Sequence, residues 1–328
     1  MAERLIVDSH GTEKVVRPLK PIASIPPEQQ IVFPDKKTHD VSWRNNFAAI
    51  ERIRQTLKEA EIVQEEGDYN VPLNRPDIPY AMGVIFADSH IGSYTSDHQL
   101  IKDILEITIV GDNTFLMDPG DTFDNGVWGG MEFEQTLPPY MQQFTIHDII
   151  RELGDKYAAC VIGNHAEWMF NSVGIEPEYT FAQAMKGPVF AGMGLLHLHA
   201  GEQNYDVALA HTYWGKSKKN ITNVCVNLRQ QEYPRANVFV VGHEHIWGSG
   251  EEMVDGIKRL YIRPGTAKTE DRYARIHGIA KRGQEMGYAV LFGTKDFTYE
   301  ARPIPEAVKF MKDQAELAGI RGYFNSYS

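Results

Sequence analysis

The sequence predicts an α/β fold in which strands and helices alternate from Tyr80 onward. Short apolar runs of strand length recur along this part of the chain, and amphipathic segments with helical spacing lie between them. Motifs rich in Asp, Asn and His follow several of the apolar runs. This arrangement is expected where the carboxyl ends of strands meet at one edge of an open sheet.

The first 80 residues differ from the rest of the chain, because they carry 8 of the 17 prolines in a polar sequence without strand alternation. We interpret residues 1–42 as an extended arm that is partly disordered or bound to a partner. Apolar residues at helical spacing predict a helix over residues 43–66, ended by Gly67. The sequence leaves three roles open for this N-terminal segment: it covers the main domain, contacts a protein partner, or mediates a homo-oligomer contact.

The apolar runs predict the following strands, in chain order: 82–87, 114–117, 158–162, 195–199, 205–210, 238–241, 259–262 and 288–292. Helices are predicted over 96–107 with Ser96 as the cap, over 135–153 with an interruption at the two prolines 138 and 139, and over 305–318. The predicted domain limits are 1–79 for the arm and its helix, 80–304 for the main domain, and 305–328 for a C-terminal helix and tail.

Composition excludes several classes of protein. No apolar stretch approaches the roughly 20 residues that cross a membrane, and the first residues do not resemble a signal peptide. Cys160 and Cys225 lie in apolar segments and belong to no Cys-x-x-Cys motif. We therefore expect a cytoplasmic protein without membrane association.

Five short motifs are the most specific feature of the chain. They are Asp88-Ser89-His90, Gly120-Asp121-Thr122-Phe123-Asp124, Gly163-Asn164-His165, His211 and Gly242-His243-Glu244-His245. Their residue types bind hard to borderline divalent metals, and together they offer ligands for two ions. One such motif is common by chance, whereas five in this order are not. A metal pair is typical of phosphoryl chemistry.

The ordered motifs resemble those of the calcineurin-like metallophosphoesterase superfamily, whose pattern is D-x-H, G-D-x-x-D, G-N-H, H and G-H-x-H. The resemblance covers about Tyr80 to Pro303, and the turn at residues 263–266 is similar to the Pro-Gly-Ser/Thr turn of the family. The stretch from His211 to His243 is also similar to phosphoesterases encoded by bacteriophages, which implies synthesis in a bacterial host.

The resemblance implies a four-layer αββα sandwich of two mixed β-sheets flanked by helices. It implies one metal bound by Asp88, His90, Asp121 and His245. It implies a second metal bound by Asp121, Asn164, His211 and His243. Asp121 would bridge the two ions together with a hydroxide that attacks phosphorus. Manganese is the expected metal, with zinc and iron as alternatives.

The resemblance also implies that His165 acts on the phosphate or the leaving group, and that Asp124 supports the site. Two positions depart from the family. Ala166 stands where many members have an acid, so the environment of His165 differs. Asn125 follows Asp124 where protein phosphatases of the superfamily have an arginine, which weakens a protein-phosphatase assignment.

Aromatic and basic residues near the motifs suggest the substrate. They are Trp128, Trp168, Tyr213, Trp214, Lys216, Lys218, Lys219 and Trp247. Aromatic faces stack on bases and lysines bind backbone phosphates, which favours a nuclease-like phosphodiesterase acting on a nucleotide or nucleic acid. The alternative for the tryptophans is that they only pack loops against the core.

Two other functions stay open. One is a phosphomonoesterase acting on a small metabolite or nucleotide. The other is a scaffold that has lost catalysis, which predicts missing ligands, although all seven expected ligands are present.

Overall fold

The computed structural model describes residues 4–7, 13–16, 64–126, 134–173, 185–215, 217, 220–269 and 287–320. The chain divides into two compact units, Met1–Ile62 and Val63–Ser328. Most of the predicted arm and of the predicted helix over 43–66 lie outside the described residues. No helix in the described ranges has the length and apolar character needed to cross a bilayer.

The first unit contains an antiparallel hairpin of β1 (Arg4–Val7) and β2 (Glu13–Val16), in which Arg4 lies opposite Val16. The hairpin falls within the predicted extended arm. Each strand has only four residues, which is too short for alternation to reveal it in the sequence.

The second unit contains the remaining described elements. Its strands are β3 (Gln64–Asn70), β4 (Tyr80–Ile85), β5 (Thr114–Asp118), β6 (Tyr157–Ile162), β7 (Val189–Ala200), β8 (Gln203–Ala210), β9 (Val238–Val241), β10 (Trp247–Val254), β11 (Ile257–Pro264), β12 (Tyr288–Gly293) and β13 (Tyr299–Pro303). Its helices are α1 (His98–Val110), α2 (Pro139–Leu153), α3 (Asn164–Val173), α4 (Asn223–Gln231) and α5 (Ile304–Leu317).

The strands form one mixed sheet in the order β10-β11-β9-β8-β7-β6-β5-β4-β12-β13, and β3 pairs with β7. The strands β4, β5, β6 and the start of β7 run parallel, as do β8, β9 and β11 by their direct pairings. The predicted α/β class with a mixed sheet is therefore confirmed. Hydrogen bonds link these eleven strands through β7, and the four-layer arrangement of two sheets stays a prediction.

Three apolar clusters form the core. Strand residues such as Met82 and Leu116 pack with α1, α2 and α5 in the first. The central cluster joins residues from both halves of the sheet, including Phe292 and Val240. The third packs α4 against the face of β8, β9 and β11 that carries Phe239. Both faces of the sheet are thus buried, which agrees with the continuous apolar runs of its parallel strands.

The predicted helix end at Glu66 is wrong, because residues 64–70 form β3 instead. Tyr69 packs into the central cluster, while Asp68 Oδ1 lies 2.8 Å from His199 Nε2 on β7. Burial against the sheet therefore overrides the local helical pattern. His199 and its neighbour His197 bind side chains of adjacent strands in this way.

Two predicted helix starts are also shifted. α1 is capped by Asp97, whose Oδ1 accepts the Leu100 amide at 3.0 Å, while Ser96 donates to the His90 main-chain oxygen at 2.8 Å. α2 begins at Pro139, because proline is tolerated in the first turn but not in a helix interior. The proposed domain limits at residues 79 and 304 stay predictions.

Candidate metal centre

All five motifs lie at the carboxyl ends of strands, as the sequence predicts. They follow β4, β5, β6, β8 and β9. β6 and β8 run in opposite directions on the two sides of β7, and their carboxyl ends meet beside residues 191–193 of that strand. This meeting point brings together all seven residues predicted as ligands: Asp88, His90, Asp121, Asn164, His211, His243 and His245.

The first ligand group consists of Asp88, His90 and His245, whose nearest ligand atoms all lie within 4.8 Å of one another. The two histidines face each other with their Nε2 atoms 3.1 Å apart. His245 Nε2 lies 3.8 Å from Asp88 Oδ1. The Asp88 carboxylate also accepts the His243 amide at 2.9 Å, which ties the fifth motif to the first.

The second ligand group consists of Asp121, His211 and His243. His211 Nε2 lies 3.1 Å from Asp121 Oδ2 and 3.2 Å from His243 Nδ1. The same nitrogen lies 2.8 Å from Asn164 Oδ1, so Asn164 joins this group. Asp121 also falls within 4.8 Å of His90 and His165, which places it between the two groups.

The donor atoms fit divalent metals. His211 Nδ1 lies 3.1 Å from the Pro119 main-chain oxygen, so that nitrogen donates and Nε2 turns towards the acceptor oxygens of Asn164 and Asp121. His90 Nδ1 similarly faces a carboxylate oxygen and directs its Nε2 at His245. Lone pairs that converge in this way repel one another unless a cation lies between them.

Charge is distributed unevenly over the ligands. Burial lowers the pKa of His90 to about 4, although Asp124 opposes this shift. Burial, followed by the neighbouring His90, also holds the pKa of His245 well below its usual value. Both rings are therefore neutral, which is the form that binds a metal.

Other candidate ligands, in both groups, have pKa values that favour a bound proton at neutral pH. Burial alone would lower the pKa of His211, but the Asp121 carboxylate outweighs it and raises that pKa to about 9. Burial opposes ionisation of Asp121, yet the charges of His211 and His165 hold its pKa well below the ordinary value. Burial raises the pKa of Asp88. A cation at the centre would replace these protons.

Five of the seven predicted ligands have a left-handed backbone. Their φ angles are 48° for Asp88, 46° for His90, 53° for Asp121, 68° for His243 and 54° for His245. Such a conformation costs about 1–3 kcal/mol per non-glycine residue and is found mainly where function requires it. The strained turns aim consecutive side chains at the same point, which a regular strand cannot do.

Two motif glycines are required by close contacts. A Cβ atom at position 163 would lie 2.1 Å from Asp121 Oδ1, and one at position 120, where φ is +107°, would lie 2.7 Å from His211 Nδ1. Any larger residue would push a ligand out of place. The glycines of the second and third motifs therefore make room for the ligand side chains.

Asp124 and His165 support the site. Asp124 Oδ1 lies 3.1 Å from His90 Nδ1, and its other oxygen accepts Gln135 Nε2. His165 donates from Nδ1 to the main-chain oxygen of Asp124, and its amide donates to Asp121 Oδ1 at 3.1 Å. The ring of His165 lies 4.4 Å from the ring of Trp168.

Sequence reasoning missed two buried cations, Arg263 near the end of β11 and Lys268 just after that strand. The buried Arg263 donates from Nε to the Val241 main-chain oxygen at 2.8 Å and from Nη2 to that of Gly242 at 3.3 Å, so it holds the fifth motif. Lys268 Nζ lies 2.9 Å from Asp124 Oδ1. The turn that separates them matches the Pro-Gly-Ser/Thr turn noted in the sequence, which was the available signal.

Asp118 was also missed. Its carboxylate accepts the Gly120 amide at 2.8 Å and the Tyr157 hydroxyl at 2.6 Å, and it holds the turn that carries Asp121. Burial raises its pKa to about 6. It is the last residue of β5, so in the sequence it has no feature that separates it from a strand terminus.

The structure describes four of the eight residues predicted to bind substrate. Trp168 is half-buried beside His165. Trp214 is 59% exposed, and its neighbour Tyr213 donates to Glu232 at 2.7 Å. Trp247 stacks on the ring of Tyr288 at 5.0 Å, so a protein side chain occupies one of its faces. The predicted residues Trp128, Lys216, Lys218 and Lys219 lie outside the described residues.

No family model matches the sequence, and no curated protein shows significant similarity to it. Solved structures do resemble the chain. They include vacuolar protein sorting 29 from Cryptosporidium parvum, with 13% identity, a TM-score of 0.38, and coverage of 68% of this chain and 98% of that one.

Two further solved structures are enzymes by name. A metallophosphoesterase from Sphaerobacter thermophilus has 14% identity and a TM-score of 0.37, covering 73% of this chain and 95% of that one. The calcineurin-like phosphoesterase YfkN from Bacillus subtilis has 12% identity and a TM-score of 0.35, covering 73% and 96%. These names belong to the superfamily that the motifs resemble. The assignment of function rests on the residues of the site.

Proposed function

We propose that this protein is a dinuclear metal-dependent phosphoesterase of the calcineurin-like superfamily. The convergence of all seven predicted ligands where the carboxyl ends of β6 and β8 meet carries this proposal, with Asp121 lying between two histidine groups. In the proposed site, Asp88, His90, His245 and Asp121 hold one divalent ion. Asp121, Asn164, His211 and His243 hold the other. The four-layer αββα arrangement of the superfamily is part of the same proposal.

Two bound cations would supply the charge that ionises a water at neutral pH and neutralises the phosphate oxygens. The residues of the chain orient the reaction around them. The Asp124 main-chain oxygen fixes the ring of His165, whose Nε2 lies 3.8 Å from Asp121 Oδ2. When protonated, this nitrogen donates its proton to the leaving oxygen of the ester.

The proposed substrate is a phosphodiester of a nucleotide or nucleic acid. Trp168 supports this choice because its ring lies against His165, where it could stack on a base while the phosphate meets the metals. The exposed Trp214 would extend this aromatic surface. Manganese as the metal, an intracellular location and a bacteriophage origin stay proposals of the same kind, supported by the sequence alone.

The test is hydrolysis of bis-p-nitrophenyl phosphate and of p-nitrophenyl phosphate by metal-stripped protein reloaded with Mn²⁺. We expect diester cleavage that disappears in Asp121→Asn and persists in Asp313→Asn, a matched change at an exposed position on α5. Cleavage of the monoester alone would replace the diesterase by the phosphomonoesterase. Two bound metals without activity on either ester would contradict the proposal.

A further inference from the structure

Lys268 is a buried lysine outside the five motifs, and its ammonium lies beside the metal centre. Its side chain is 5% exposed, and Nζ lies 2.9 Å from Asp124 Oδ1. Lysine is almost never fully buried unless it is paired, because its ammonium group loses hydration that only a close anion replaces. The pair with Asp124 therefore accounts for the burial of Lys268.

The carboxylate that Lys268 binds also orients a predicted metal ligand. The same oxygen of Asp124 faces His90 Nδ1 at 3.1 Å, and the other oxygen accepts Gln135 Nε2. A carboxylate held on both oxygens cannot rotate freely, so the direction of the His90 ring is set. Nε2 of that ring is thereby turned towards His245 in the first ligand group.

Asp124 orients a second imidazole through its backbone, since its main-chain oxygen accepts His165 Nδ1. By contrast, His211 in the second ligand group is oriented by the main-chain oxygen of Pro119 at 3.1 Å. A residue that holds Asp124 in place therefore helps to orient His90 in the first group and also His165. In the second group, a neutral main-chain oxygen orients His211 instead.

We infer that Lys268 is a positioning residue that acts through Asp124 on the metal group of Asp88, His90 and His245. The role of Lys268 deepens the proposed function. It rests on that function only in taking the bound ion to be a divalent metal. Lys268→Met keeps the length of the side chain and removes its ammonium group. Asp124 then loses one of its donors, and the ring of His90 loses its fixed direction.

The first test is calorimetric titration of metal-free, full-length protein with Mn²⁺. We expect two bound equivalents in the wild type. In Lys268→Met, one of the two affinities should fall by about 10–100-fold, the usual effect of losing an outer partner of a metal ligand. Unchanged affinities, or equal weakening of both, would overturn the inference.

Lys156→Met is the matched control. Lys156 is half-buried and donates to the main-chain oxygens of Ile109 at 2.7 Å and Thr108 at 3.0 Å, at the end of α1 and the opposite edge of the sheet. This substitution should lower stability and leave both metal affinities unchanged. If Lys268→Met does not fold, Lys268→Gln takes its place, and one of the two Mn²⁺ affinities should again fall selectively. Unchanged affinities, or equal weakening of both, would again overturn the inference.

A second measurement needs no metal and separates this inference from the proposed function. Nitrogen NMR of ¹⁵N-histidine-labelled, metal-free protein should show His90 as one tautomer, protonated at Nδ1. In Lys268→Met we expect a mixture of tautomers, partly reversed in Lys268→Gln. A wild type that binds no Mn²⁺ would refute the proposed function, while an unchanged tautomer in folded Lys268→Met would refute the role of Lys268.

Discussion

The two ligand groups of the metal centre differ more in charge than in residue type. Each has two histidines and shares Asp121. The first adds the carboxylate of Asp88, whereas the second adds the neutral amide oxygen of Asn164. Because ligand charge helps to set cation affinity, the first position should bind its ion more tightly than the second.

The groups also differ in their protonation before metal binding. Burial keeps His90 and His245 neutral but raises the pKa of Asp88 to about 8, so the first group carries its proton on the carboxylate. In the second group the Asp121 carboxylate overcomes the effect of burial and raises the pKa of His211 to about 9, so at neutral pH a proton must leave before metal can bind. Metal binding would therefore release a proton from Asp88 in the first group and from His211 in the second.

The largest expected effect comes from Asp121→Asn, which removes the carboxylate that both positions share. Both Mn²⁺ affinities should fall by more than about 100-fold, since loss of an outer partner alone costs 10–100-fold. Asp88→Asn should weaken the first position only. Titration calorimetry on both variants measures this, and a selective loss in Asp121→Asn would contradict the shared role.

A large effect is also expected from Gly163→Ala, because the added Cβ would lie 2.1 Å from Asp121 Oδ1. Displacing that side chain should weaken both positions together, and equilibrium dialysis with Mn²⁺ would show it. Gly154→Ala is the control: its φ of +56° is strained for alanine but no atom lies within 4 Å of the new Cβ, so it should change stability alone. Normal metal content in Gly163→Ala would disprove this crowding argument.

Asn164→Asp sharpens the comparison by giving the second group a carboxylate of its own in addition to the shared Asp121. The weaker of the two Mn²⁺ affinities should rise by roughly tenfold, which corresponds to about 1.4 kcal/mol and brings the positions closer together. Competition with a coloured chelator resolves the two constants. If the difference between the two Mn²⁺ affinities grows instead, the difference in ligand charge is not the cause of the unequal affinities.

The smallest effect concerns the metal-free protein. The folded pKa of His211, about 9, exceeds the unfolded value of 6.5, so its protonation stabilises the fold fully below pH 6.5. This contribution is lost as pH rises through about 9. Urea unfolding should show a fall in stability over this range that is smaller in His211→Gln. An identical fall in both proteins would exclude His211 as its source.

The seven candidate ligands could be located from the sequence because each motif places a polar turn directly after a strand. That the two oppositely running sets of strands meet beside β7 could not be read from the motifs. Apolar runs also located most strands of the sheet to within a few residues. The short strand β9 (Val238–Val241), for example, was predicted with its observed limits.

Other features depend on contacts between distant parts of the chain. The first three residues of β3 were predicted as the end of a helix, and pairing with β7 makes them part of a strand. Lysine and arginine are mostly exposed in proteins, so the burial of Lys268 and Arg263 beside Asp124 and Val241 could not be read from spacing. The sequence predicted the candidate ligands, but not the buried residues that hold them in place.

The left-handed turns restrict the ligands independently of metal chemistry. Asp, Asn and His tolerate positive φ better than other side chains, and the five strained ligands are all Asp or His. Asp88→Glu would keep a carboxylate yet place a longer residue in a backbone that disfavours it. An engineer who wishes to change the metal preference must therefore redesign the turn together with the ligand, or choose among the few residues that the turn already admits.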